Sequence, residues 1–202
     1  MSSNNVDNPV GTEILEQSVT KESTAKNIVR WKTDPAHTNV QFSIRHMVIA
    51  EVTGKFKEFE AALTQHNEDF SGSEIAATIK AGSITTENSD RDKHLASADF
   101  FDVEKYPELS FVSRSFEKID DERYILEGDL TIHGITKPVE IRTEFFGQAV
   151  DPWGNLRAGF KGTTNINRFD FGLQWNQTIE TGGLLVGKSV EITLNLEFIR
   201  QK

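Results

Sequence analysis

The five histidines of the chain are the first residues to consider for metal binding or proton transfer. A zinc or iron site needs three or four converging ligands, which pairs such as H-x-H or H-x-x-x-H often supply. Neither pair occurs, so we predict no metal site and no cofactor, with the histidines hydrogen-bonded at strand ends and turns. His46 continues the apolar face of Val40, Phe42 and Ile44, and we expect it to touch a ligand.

Three cationic side chains could recognise the polar head of a ligand. Arg91 and His94 are three residues apart, so one helical turn would place both on the same side, where they could donate to an anionic or carbonyl group. Arg91 also lies between two aspartates, and pairing with them is an equally good interpretation. Arg168 has the same two interpretations, with pairing to Asp170 or another carboxylate slightly favoured.

The strong sequence motifs of catalysis are missing. The chain contains no G-x-S-x-G nucleophile elbow, no G-x-x-x-x-G-K-[ST] phosphate loop and no G-x-G-x-x-G turn after a strand. It has no cysteine, which excludes disulfides, thiolate metal ligands and a cysteine nucleophile. We therefore predict a binding protein and no catalytic residues, the alternative being an enzyme that uses a histidine base on a lipidic substrate.

Charge and composition restrict the partners. The chain has 202 residues and a formal net charge of −9, and its basic residues are scattered singly among acids. Because phosphate contacts need clustered Lys and Arg, nucleic acid is not an expected partner. No apolar run approaches the roughly 20 residues that span a bilayer, so no transmembrane segment is predicted.

The first part of the chain differs in composition from the rest. Residues 1–28 are polar and have too few apolar side chains to offset the entropy of ordering, so we expect a mobile arm before a barrel domain over 29–202. A secretory signal requires early positive charge followed by an apolar stretch. The first 20 residues contain neither Lys or Arg nor such a stretch. A cytoplasmic location is therefore expected.

From Trp31 onward, short segments of alternating apolar and polar residues are separated by turn residues. This pattern is typical of half-buried antiparallel strands. About eight such strands must close into a barrel or stack as a sandwich, and the barrel is favoured because closure leaves no edges. We expect the inward side chains to line a cavity: Phe42, Ile44, His46, Phe56, Ile79, Phe111, Leu130, Ile132, Ile141, Phe145, Leu194 and Leu196.

Midway along the chain the alternation stops. The run from 89 to 95 is typical of a short helix, with Ser89 or Asp90 able to accept from the free amides of its first turn. Phe100 and Phe101 follow in a segment too short to form a core of its own. We expect these two rings to pack onto the barrel, across its mouth.

Several landmarks spread along the chain together resemble the YceI-like family. They are Trp31-x-x-Asp34-Pro35-x-His37-Thr38-x-x-x-Phe42-x-x-x-His46, Gly54-x-Phe56, Arg91-Asp92-x-His94-Leu95, Phe100-Phe101-Asp102, Tyr106-Pro107, Gly128-x-Leu130-Thr131-Ile132-x-Gly134-x-Thr136-Lys137-Pro138 and Asn167-Arg168-x-Asp170-Phe171-Gly172. The resemblance implies a lipocalin-like antiparallel barrel, often dimeric, that binds polyisoprenoids or related long-chain lipids in an elongated cavity. It carries over no catalytic residues.

The resemblance also implies an alternative location, since many members carry a signal peptide and work in the periplasm.

The residues leave open whether the barrel interior is empty or filled. Large and small inward side chains are mixed, and small ones leave room for a flexible chain. We expect non-enzymatic binding of one long-chain lipid for carriage, storage or sensing; a filled barrel acting as an interaction module is the alternative.

Overall fold

The strands of the computed structural model follow the alternating segments of the sequence. It describes residues 28–178 and 184–202, so the arm predicted over 1–28 lies, apart from Ile28, outside the described residues. The strand segments are β1 (Val29–Thr33), β2 (Asn39–His46), β3 (Ala50–Phe56), β4 (Phe59–Gln65), β5 (Glu74–Lys80), β6 (Ile84–Thr85), β7 (Glu108–Lys118), β8 (Arg123–Ile132), β9 (Ile135–Val150), β10 (Leu156–Asn167) and β11 (Val186–Arg200). The helix α1 (Ser89–Ala96) and two 3-10 turns, Ala81–Ser83 and Arg168–Phe171, lie between strands.

The sheet closes on itself at β11. This strand pairs with β10 along one edge and with both β1 and β2 along the other, and every pairing in the sheet is antiparallel. β1 with β2, β3 with β4, and β5 with β6 therefore each form one strand interrupted by a short break. Counted in this way, the barrel has eight strands. The predicted barrel of about eight antiparallel strands is confirmed, and the sandwich alternative is wrong.

Two of the three breaks have identifiable local causes. At the first of them Pro35 removes a backbone donor, and the Asp34 carboxylate accepts from the amide of Ala36 at 2.9 Å, which closes a turn. At the third, the 3-10 turn Ala81–Ser83 separates β5 from the two-residue strand β6. α1 and the residues after it pack beside this short strand, where the Phe101 ring lies 5.9 Å from that of Phe56.

The helix predicted at 89–95 is confirmed as α1, with one correction. Its N-cap is Asn88, whose side chain accepts from the amide of Arg91 at 3.0 Å, whereas Ser89 and Asp90 lie inside the first turn. Along the parts of the chain that the structure describes, no helix combines the length and apolar character that crossing a membrane would require.

One end of the barrel is packed solid with aromatic rings. Phe70, from the loop between β4 and β5, is fully buried, and its ring centroid lies 5.4 Å from that of Trp31 and 5.2 Å from that of Phe160. The buried polar atoms of this cluster are satisfied, because Trp31 Nε1 donates to Gln65 at 2.9 Å and the Tyr124 hydroxyl donates to a backbone carbonyl at 2.6 Å. This aromatic floor closes the barrel at the end opposite α1.

Candidate functional site

Between the aromatic floor and α1 the barrel interior holds an apolar cavity of about 340 Å³. Its wall is formed by the inward side chains of the strands, so the alternation seen in the sequence is the origin of its apolar surface. Eleven of the twelve predicted side chains lie on this wall: Phe42, Ile44, His46, Phe56, Ile79, Phe111, Leu130, Ile132, Ile141, Leu194 and Leu196.

Phe145, the twelfth predicted side chain, does not line the cavity. Its ring packs into the aromatic floor, with its centroid 5.3 Å from that of Phe70 and 5.0 Å from that of Phe160. The alternation correctly places Phe145 on the inner face of β9. This face runs the length of the barrel, and Phe145 lies on the part of it that belongs to the aromatic floor.

Other wall residues were not predicted. Val190 and Ile192 continue the inward face of β11 and could have been found from the same alternation. Leu173 and Trp175 follow the second 3-10 turn in a segment without strand periodicity, so no pattern in the sequence marks them as cavity residues. Trp175 also lies beside Phe100, with 5.2 Å between the ring centroids, and both rings border the barrel cavity.

Two polar side chains of α1, Arg91 and His94, border the cavity. His94 Nε2 lies 3.1 Å from an Asp99 carboxylate oxygen, and the His94 ring meets the rings of Phe100 and Trp175 edge-on at 5.1 and 4.7 Å. His46, at the end of β2, also borders the cavity and is half-buried.

Arg91 borders the α1 end of the cavity, which we call its mouth, but it does not pair with its flanking aspartates. Its Nε donates to the Thr86 hydroxyl at 2.6 Å, and one terminal nitrogen donates to the Thr86 carbonyl at 2.9 Å. Asp92 accepts from the Thr86 amide and hydroxyl at 2.7 and 2.6 Å. Partial burial raises the pKa of Asp92, but these hydrogen bonds outweigh it and leave the pKa below the ordinary value.

Arg168 borders the cavity as a buried cation. Its Nε donates to the Gly187 carbonyl at 2.8 Å, its other nitrogens donate to the carbonyls of Leu173 and Val186, and its guanidinium carbon lies 4.6 Å from the centroid of the Phe169 ring. Burial lowers the pKa of Arg168. The favoured pairing with Asp170 is wrong, since backbone carbonyls hold the guanidinium. Arg168 thereby ties the second 3-10 turn to the start of β11 and shapes the mouth.

A charged cluster lies on the outer face of the barrel. Arg157 donates to Asp34, Asp151 and Glu197. Asp34, His37 and Glu197 could offer three ligand atoms to a metal, but the carboxylates of this group already accept from Arg157. We therefore interpret the cluster as an ion-pair network joining β10 and β11 to the first strand break.

This network predicts an acid-dependent stability. Hydrogen bonds from Arg157 and His37 lower the pKa of Asp34 from 3.8 to about 2. Because a depressed folded-state pKa favours folding while the carboxyl is ionised, this contribution is complete above about pH 4 and is lost as the pH falls towards 2. We expect Asp34→Asn to flatten the dependence of the urea midpoint on pH in this window.

Asp121→Asn is the matched control, because the Asp121 side chain is 99% exposed. Loss of this carboxylate should leave the pH dependence of the urea midpoint as in the wild type. Equal slopes for the wild type and Asp34→Asn would show that the ion pair contributes nothing to acid stability.

Fold and cavity together define a closed antiparallel barrel with a mostly apolar interior. Residues 31–198 match the model of the YceI-like domain, and the chain belongs to this family.

Relatives and solved structures agree with this assignment. A UPF0312 protein of Pseudomonas putida (strain W619) is 37% identical over 166 residues, which cover 82% of this chain and 83% of that protein. The crystal structure of the Campylobacter jejuni YCEI protein is 31% identical, with a TM-score of 0.68, and the match covers 79% of this chain and 91% of that one. A polyisoprenoid binding domain from Saccharophagus degradans has the same fold at 12% identity, with a TM-score of 0.65 over 85% of this chain and 98% of that domain.

Proposed function

We propose that the protein binds one long-chain hydrophobic molecule, a polyisoprenoid or a related lipid, inside the barrel, without turnover, for carriage, storage or sensing. The observation that carries this proposal is the distribution of side chains around the cavity. The wall is mostly aliphatic and aromatic, the far end is closed by the aromatic floor, and the cationic side chains of Arg91 and Arg168 and the ring of His94 border the other end. Such a site suits a ligand with a long apolar tail and one polar head.

The apolar wall can supply most of the affinity. Each methylene transferred from water to an apolar environment contributes about 0.8 kcal/mol, so a long chain can bind tightly with few directed contacts. The neighbour from Saccharophagus degradans is described as a polyisoprenoid binding domain, and it supports this choice of ligand class.

The head group would lie at the mouth, where the environments of the three predicted contacts differ. Arg91 is exposed and its guanidinium is only partly used by Thr86, so it can donate to an anionic or carbonyl head. The His94 ring lies beside Trp175 and can contact the head group, although its Nε2 already pairs with Asp99. Arg168 already donates to backbone carbonyls and contributes mainly by fixing the conformation of the mouth.

A titration of the delipidated 202-residue protein with geranylgeraniol tests this function. Trp175 borders the cavity, whereas Trp31 is in the aromatic floor and Trp153 is 80% exposed in a turn. We expect a saturable, stoichiometric change in tryptophan fluorescence, which Trp175→Phe removes while native mass spectrometry still detects the bound alcohol. A wild-type protein that shows neither a fluorescence change nor a mass adduct would contradict the proposal.

A further inference from the structure

Two glycines on the inner face of the barrel lie directly beneath phenylalanine rings. A Cβ atom added to Gly54 would lie 2.3 Å from Cζ of Phe42, and one added to Gly128 would lie 2.4 Å from Cζ of Phe111. Real Cβ atoms essentially never approach other heavy atoms within 3.0 Å. Each ring therefore occupies the space that a side chain at the glycine would fill.

Both rings belong to the cavity wall, at two separate places. Gly54 on β3 is the direct cross-strand partner of Phe42 on β2. Gly128 on β8 lies two residues from Leu130, the cross-strand partner of Phe111, so this ring leans diagonally across the strand pair. In each case a missing side chain on one strand lets a large ring from its neighbour settle against the sheet.

The lumen is the direction in which a displaced Phe42 ring can move away from the sheet. The sheet backbone lies behind the Phe42 ring, the Phe56 ring lies 5.9 Å away on the wall, and a methyl group of Thr86 lies 2.9 Å from the Cβ position at Gly54. A side chain at Gly54 would therefore push the Phe42 ring into the lumen, where the ligand chain must lie.

We propose that Gly54 and Gly128 determine the width of the cavity, because the rings of Phe42 and Phe111 pack against them in the wall. With the rings in these positions, the wall carries large aromatic surfaces while the lumen stays wide enough for one lipid chain. This inference rests on the proposed function and deepens it, since it names residues that decide which ligands can enter.

Gly54→Ala is the direct test, because its clash involves the far end of a side chain, whereas a Cβ at Gly128 would also meet a backbone carbonyl oxygen at 2.5 Å. We expect geranylgeraniol to bind to Gly54→Ala about tenfold or more weakly than to the wild type. Gly159→Ala is the matched control, because its Cβ would meet nothing closer than 3.6 Å, and it should bind as the wild type does.

A second pair of variants isolates the ring and covers the case in which Gly54→Ala does not fold. With the ring removed, the closest remaining contact of the new Cβ atom is the Thr86 methyl group at 2.9 Å. Phe42→Leu and Phe42→Leu/Gly54→Ala should therefore bind geranylgeraniol nearly equally, so most of the cost of the alanine disappears. Wild-type affinity in a folded Gly54→Ala, or an undiminished cost in the Phe42→Leu background, would overturn the inference while leaving the proposed function standing. A wild-type protein that binds no lipid would overturn both.

Discussion

We expect the largest functional effect from Leu194→Glu, which should remove most of the lipid binding while the barrel still folds. Leu194 lies on the cavity wall in β11, opposite Gly162 on one side and Val40 on the other, and it is only half-buried because it faces the open lumen. A ligand chain entering the cavity would strip water from the new carboxylate and offer it no hydrogen-bond donor, which is costly for an ionised group. We expect roughly a hundredfold or greater loss of affinity for geranylgeraniol at pH 8.

Thr193→Glu is the matched control for this variant. Thr193 is the adjacent residue of the same strand, so its side chain is on the outer face, and the same substitution there should leave binding unchanged. Far-ultraviolet circular dichroism and urea unfolding would establish that both variants are folded. If folded Leu194→Glu took up the lipid as the wild type does, the ligand would not lie in the barrel.

Phe70→Ala should have the largest effect on stability. Its ring is fully buried between Trp31, Phe145 and Phe160, and its removal leaves a cavity in the most tightly packed end of the barrel. Truncation of a buried phenylalanine costs about 3–5 kcal/mol, so we expect a loss of this size in the free energy of unfolding from urea titrations.

The comparison is Phe146→Ala, whose side chain is 62% exposed and should change the free energy of unfolding by less than about 0.5 kcal/mol. Equal stabilities of the two variants would mean that Phe70 does not close the barrel end. The lipid affinity of Phe70→Ala is informative as well, since opening the floor would lengthen the cavity.

Strand alternation alone predicted the barrel and most of the cavity wall, because a period of two residues follows from strand geometry and one face of each strand must be buried. It could not reveal depth along the barrel axis, which is why Phe145 was assigned to the cavity although it lies in the floor. Phe70 carried no pattern at all, since it enters the floor from a loop with its φ at +63°.

The mouth was less predictable than the wall. The sequence favours a carboxylate partner for Arg168, but in the structure backbone carbonyls of the nearby Leu173 and of the more distant Gly187 hold its guanidinium. Arg91 bonds to Thr86, which lies before the helix rather than within it. Contacts of this kind depend on how irregular segments fold over the barrel end, and spacing along the chain carries no information about that.

Native mass spectrometry of the freshly purified 202-residue protein, followed by organic extraction and identification of what is released, tests the central claim most directly. We expect a species heavier than the 22.7 kDa chain by one long-chain isoprenoid or related lipid, released intact on extraction. A mass equal to that of the bare chain, unchanged after incubation with prenyl lipids, would contradict the account and would show that the cavity does not bind such ligands.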